Sequence, residues 1–81
     1  MISKKTSDLI CAVVSEPNKS YIYYATKTKV SYSYAVRNFG EMLKKGWIEL
    51  KFKNGRENIV IPKDKLKNIY DQICLLNQSL R

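Results

Sequence analysis

Three features of the sequence predict an α+β fold that is mostly α. Apolar residues recur at helical spacing in three separate stretches, around residues 4–15, 31–45 and 64–79. Between the second and third of these, residues 47–61 alternate as strands do and flank Asn54-Gly55. Pro17-Asn18, Gly46 and Pro62 divide the chain at the points where these patterns change. Together with a short helix over residues 20–27, they predict three helices, then a two-stranded hairpin, then an additional C-terminal helix. Eighty-one residues with a 44% hydrophobic share suffice for one core and no more.

The first helix is expected over residues 4–15, where Leu9, Ile10, Val13 and Val14 share a face. Ser3 or Thr6 offers an N-cap, and Pro17-Asn18 closes the segment. Residues 20–27 (Ser-Tyr-Ile-Tyr-Tyr-Ala-Thr-Lys) read as a strand by aromatic content and as a short helix by context. The helix is preferred because Ala25 and Val30 suit the small-residue and turn positions of a two-helix motif. Ser31 caps the next helix, with Ala35, Phe39, Met42 and Leu43 on its packed side. Ser33, Arg37, Gly40 and Lys44 fall opposite, flanked by Tyr34 and Glu41, and Gly46 ends the helix.

The run Trp47-Ile-Glu-Leu-Lys-Phe52 alternates with period two, and Asn54-Gly55 fits a two-residue type I′ turn. That turn pairs Lys53 with Arg56, Phe52 with Glu57, Leu50 with Ile59 and Ile48 with Ile61. Ile48, Leu50, Ile59 and Ile61 then form one apolar face, and Lys51, Lys53 and Arg56 surround the tip. Pro62 stops the second strand, and Asp64 is expected to cap a last helix reaching about Ser79. Its residues Leu66, Ile69, Ile73, Leu76 and Leu80 are spaced by threes and fours, like a coiled-coil seam, and Tyr70 and Cys74 widen it. This seam either dimerises or folds back on its own domain.

Fifteen Lys/Arg stand against seven Asp/Glu, a net charge of +8 that favours a polyanionic partner. Residues 1–47 hold eight of those cations and only three acids, so the charge belongs to the globular front and not to a tail. No apolar run approaches the length needed to span a bilayer, and the N-terminus lacks the pattern of a secretory signal. A cytoplasmic location and no membrane partner are therefore expected. Histidine is absent, which removes the commonest general base and metal ligand. With no phosphate-cradling glycine loop and no paired carboxylates, an enzyme is the least favoured class, and no cofactor or metal is expected. Cys11 and Cys74 cannot complete a zinc site, and read as small core residues or as a disulfide.

From Ala25-Thr-Lys-Thr-Lys-Val30-Ser31 to Met42-Leu-Lys-Lys-Gly46-Trp-Ile48, the chain resembles the winged helix-turn-helix superfamily. It looks most like the small archaeal, viral and bacterial transcriptional regulators of the MarR, PadR and ArsR type. The likeness covers roughly residues 5–62. Lys29 departs from it, standing where such motifs often have glycine and implying a different turn geometry.

The resemblance implies a winged-helix DNA-binding domain over residues 1–62 and a dimerisation element over 63–81. It implies double-stranded DNA as partner, with the third helix in the major groove and the wing on the minor groove or backbone. Ser33, Tyr34 and Arg37 then face base edges or phosphates, with Arg37 suited to guanine and otherwise able to pair with Glu41. Tyr32 stands at the start of that surface while covering the core. Lys44, Lys45, Lys51, Lys53 and Arg56 are placed for phosphates. Leu66, Ile69, Tyr70, Ile73, Leu76 and Leu80 would join two copies into a repressor, acting in the host cytoplasm if the source is viral. A non-specific DNA-packaging protein and a winged-helix adaptor between proteins remain the competing classes.

Overall fold

The computed structural model describes residues 3–53 and 57–79, with the side chains of 53, 57 and 77–79 left aside. In order, the elements are α1 (Lys4–Ser15), β1 (Lys19–Ser20), α2 (Tyr21–Thr28), α3 (Tyr32–Lys44), β2 (Ile48–Lys53), β3 (Glu57–Pro62) and α4 (Asp64–Ser79). This is the winged helix-turn-helix arrangement: three helices, a wing and an appended helix. The sheet is antiparallel with strand order β1-β3-β2. Its short third strand, β1, was not expected from the sequence.

Serine caps open the first three helices. Ser3, Ser20 and Ser31 accept backbone N–H bonds from Thr6, Tyr23 and Tyr34 respectively, each satisfying a donor that the first turn leaves unpaired. Residues 21–28 are helical despite their aromatic, strand-favouring composition. The reason is tertiary: Tyr21 and Tyr24 project one turn apart onto Phe39, at centroid distances of 5.0 and 5.7 Å. The Tyr24 hydroxyl also donates to the Glu16 carbonyl at 2.7 Å and accepts from the Lys19 N–H at 3.1 Å. One buried side chain thus ties the α1–β1 connection to the core, and that burial pushes its pKa up to about 12.

The helix-turn-helix bend is made without glycine. Lys29 itself adopts the left-handed region, at φ 60° and ψ 36°, and its N–H caps α2 on the carbonyls of Ala25 and Thr26. Gly46, at φ 75°, supplies another left-handed position, where α3 turns into β2.

The core joins Leu9, Ile10 and Val13 of α1, Tyr21, Tyr24 and Ala25 of α2, and Ala35, Phe39 and Met42 of α3. Ile48 of β2, Val60 of β3 and Leu66 of α4 complete it. Two expectations change here. Leu43, assigned to the packed side of α3, is 43% exposed. The hairpin register is also shifted by one residue: Ile48 pairs with Pro62, Leu50 with Val60, Phe52 with Asn58 and Lys53 with Glu57. Three residues, 54–56, separate the last pair, in place of the two of a type I′ turn. The shift puts Val60, fully buried, on the core face beside Ile48 and Leu50, and moves Ile59 and Ile61 to the other face.

Asp64 lies inside the first turn of α4 and is not its cap. The Lys63 carbonyl accepts from the N–H groups of Leu66 and Lys67, so Lys63 holds the cap position. An acid one residue further on still complements the helix dipole. Leu66 is fully buried in the domain's own core, with Ile69, Tyr70 and Ile73 packed partly against it. The front half of the expected seam therefore folds back. Leu76, 64% exposed, leaves the domain surface, and Leu80 lies outside the described residues.

Candidate nucleic-acid interface

Two neighbours fix the rotation of α3 about its axis. On one side Ala35, Phe39 and Met42 enter the core against the aromatic rings of α2. On the next side Tyr34 and Asn38 engage the start of α1 through neutral hydrogen bonds. Thr6 Oγ1 donates to Asn38 Oδ1 at 2.7 Å, and the Tyr34 hydroxyl lies 3.0 Å from Ser3 Oγ and 3.3 Å from Thr6 Oγ1. Asn38 Nδ2 donates to the Tyr34 carbonyl at 2.9 Å. The bonds from Ser3 and then Thr6 pull the Tyr34 pKa below its ordinary value, and Lys5 Nζ sits 5.4 Å over the ring.

What remains of α3 faces outward. Ser33, Arg37 and Lys44 are exposed, as expected from the sequence. Among the described residues the one ion pair is Lys27–Glu16 at 3.0 Å, so Arg37 makes no bridge to Glu41. Tyr32 is 54% exposed, which corrects its expected place over the core. Val36, 37% exposed, stands one turn along from it, and Gly40 lies between Val36 and Lys44 on the same face. Val36 and Leu43 are members of this surface that pattern reasoning missed: Leu43 was assigned inward, and Val36 was given no face. At 100° per residue, Val36 lies about 60° from Phe39, and that angle alone marks it as a border position.

Of the other expected contacts, Tyr34 is turned toward α1 and its hydroxyl is occupied there. Lys45 caps α3 and holds its ammonium 4.8 Å over the Trp47 ring, at the border of the surface. Lys51 is exposed on the face of the wing turned away from the core. Lys53 ends β2, but its side chain, like Arg56, lies outside the described residues. Lys29, exposed in the turn before α3, adds a cation that the sequence reading did not include. Among the described residues no group of acids and thiols could hold a metal ion, and no helix is long and apolar enough to cross a membrane.

No protein-family model matches this sequence, and no curated protein does so either. Solved structures do. A protein from Archaeoglobus fulgidus superposes with a TM-score of 0.85 at 18% identity, over 100% of this chain and 92% of that one. A MarR protein from Peptoclostridium difficile gives 0.83 at 18% identity, over 96% of this chain and 53% of that one. The transcriptional regulator SlyA gives 0.81 at 23% identity, over 94% and 54%. The chain thus spans about half the length of the MarR and SlyA proteins it matches. These likenesses establish the fold.

Proposed function

We propose that this winged helix-turn-helix chain is a sequence-specific double-stranded DNA-binding transcriptional regulator, and that it works as a homodimeric repressor. One observation carries the reading. The face of α3 that the fold leaves outward holds Arg37, without an ion-pair partner among the described residues, beside Ser33, Gly40 and Lys44, on a domain of net charge +8. A guanidinium with no such partner is suited to bridge guanine O6 and N7, and exposed Tyr32 and Val36 beside it suit thymine methyls. Lys51 of the wing, with Lys53 and Arg56 beyond it in sequence, supplies sequence-independent phosphate contacts. Tyr34 serves this surface indirectly, holding α3 against α1. Structural likeness to proteins described as transcriptional regulators supports the same conclusion.

A lone domain covers few base pairs, and a second copy doubles the footprint. Exposed Leu76, beyond the part of α4 that packs on its own core, is the residue around which that copy joins. Two α3 helices would then sit about 34 Å apart, one turn of DNA. Selecting binding sites from a random DNA pool tests the whole reading. A two-fold-symmetric consensus with half-sites at that spacing is expected. Recovery of unrelated sequences bound no better than the starting pool would instead identify a packaging protein, and absence of salt-dependent DNA binding an adaptor between proteins.

A further inference from the structure

Cys11 of α1 and Cys74 of α4 take no part in that surface, and both are half-buried free thiols. The two helices pack against each other. Across that contact Tyr70 lies beside Ser15 and Cys74, and Cys74 lies beside Cys11. Ser15 lies one turn after Cys11, and Tyr70 lies one turn before Cys74. Ser15 opposite Tyr70 and Cys11 opposite Cys74 are therefore consecutive rungs of one antiparallel helix pair. Helix axes about 8–10 Å apart and a Cα radius of about 2.3 Å leave directly facing Cα atoms roughly 3.4–5.4 Å apart, which overlaps the ~4.4–6.8 Å that a disulfide bridges.

We propose that Cys11 and Cys74 form an intramolecular disulfide that staples α1 to α4 when the chain meets an oxidising low-molecular-weight disulfide. In the first exchange one cysteine thiolate attacks the small disulfide, forming a mixed disulfide and releasing one small thiol. The second cysteine then attacks the protein sulfur of that mixed disulfide, displacing the second small thiol. Two protein thiols lose their hydrogens, and one small disulfide becomes two thiols. Burial, then the neighbouring Cys74 and Asp8, raise the Cys11 pKa. Little Cys11 thiolate is present at neutral pH, so exchange that begins at Cys11 is slow.

The bond would close a loop of about 60 residues and remove much of the unfolded chain's freedom. Incubation of the whole chain with oxidised glutathione should lower its mass by about 2 Da and leave it a single chain on a non-reducing gel. Its Tm should rise by about 10 °C or more, and dithiothreitol should reverse the rise. Cys11→Ser and Cys74→Ala, each melting near the wild type when reduced, should show glutathione adducts and no such rise. Two glutathione adducts on the wild type, cross-links between chains, or thiols that stay unreacted would each overturn the proposal.

Discussion

Replacing Gly40 by alanine should move stability and DNA affinity in opposite directions. Gly40 lies inside α3, two turns from its start and one from its end, with a backbone outside the left-handed region. A Cβ built there meets no atom within 4 Å. Glycine in a helix interior costs roughly 0.5–1 kcal/mol relative to alanine, because its unfolded backbone has more freedom to lose. With no clash to offset that gain, Gly40→Ala should raise the Tm by about 2–8 °C for a domain of this size.

The space that receives this methyl group is the outward face between Arg37 and Lys44. If DNA seats there, the helix backbone approaches it most closely at the residue with no side chain. An added methyl in a tight interface costs about 1–3 kcal/mol, which weakens binding about 5- to 150-fold. Thermal melts by circular dichroism and fluorescence anisotropy on the selected site, at one salt concentration, measure both quantities. A stabilised variant that binds DNA as well as the wild type would show that α3 does not seat through this face. A destabilised one would show that the helix context has been misjudged.

Arg37→Ala should cost about 1–3 kcal/mol on the selected site and much less on random DNA, with stability within about 0.5 kcal/mol of the wild type. Lys51→Ala should weaken all sequences alike and lower the salt slope by about one; a sequence-dependent loss would move the wing into base readout. Leu76→Glu should leave the melt of the single domain in place but hold the chain as a monomer at micromolar concentration. Sedimentation showing the wild type already monomeric would remove the dimer. Glu16, whose pKa is held below its ordinary 4.5 first by the Tyr23 hydroxyl and then by Lys27, gives a pH test. Its folded value is depressed, so its contribution is present above 4.5 and is lost as pH falls through the folded value. The wild type should therefore lose more of its Tm on acidification than Glu16→Gln does, and parallel acid melts would refute the link.

Much of this fold is legible in the sequence because local and tertiary preferences agree. Serine caps, Gly46, Pro62 and the spacing of Ala35, Phe39 and Met42 each mark the boundary or face that the structure shows. The disagreements have two sources. Register depends on loop length, and Asn54-Gly55 is compatible with a two-residue and a three-residue connection; only the competition of Val60 with Ile59 and Ile61 for the core decides between them. Helix-face assignment failed at Leu43 and Tyr32 because hydrophobic character was taken as burial, although much of any folded surface is apolar. Lys29 in the left-handed region was likewise hidden, since no local pattern tells a tolerated strained residue from a changed turn.

The orientation of α3 is what gives these surface residues a common meaning. At 100° per residue, Met42, Ala35 and Phe39 occupy an arc of about 60° against the core, and Tyr34 and Asn38 fill the adjoining arc against α1. The second contact uses hydroxyls and an amide. No cation of α3 is consumed in holding the helix, and Arg37 and Lys44 stay outside. The remaining arc also leaves Tyr32 and Val36 in water beside them. An apolar strip flanked by positive charge is complementary to a partner that is both anionic and partly apolar. The groove of duplex DNA, with phosphates at its rims and thymine methyls on its floor, has that composition.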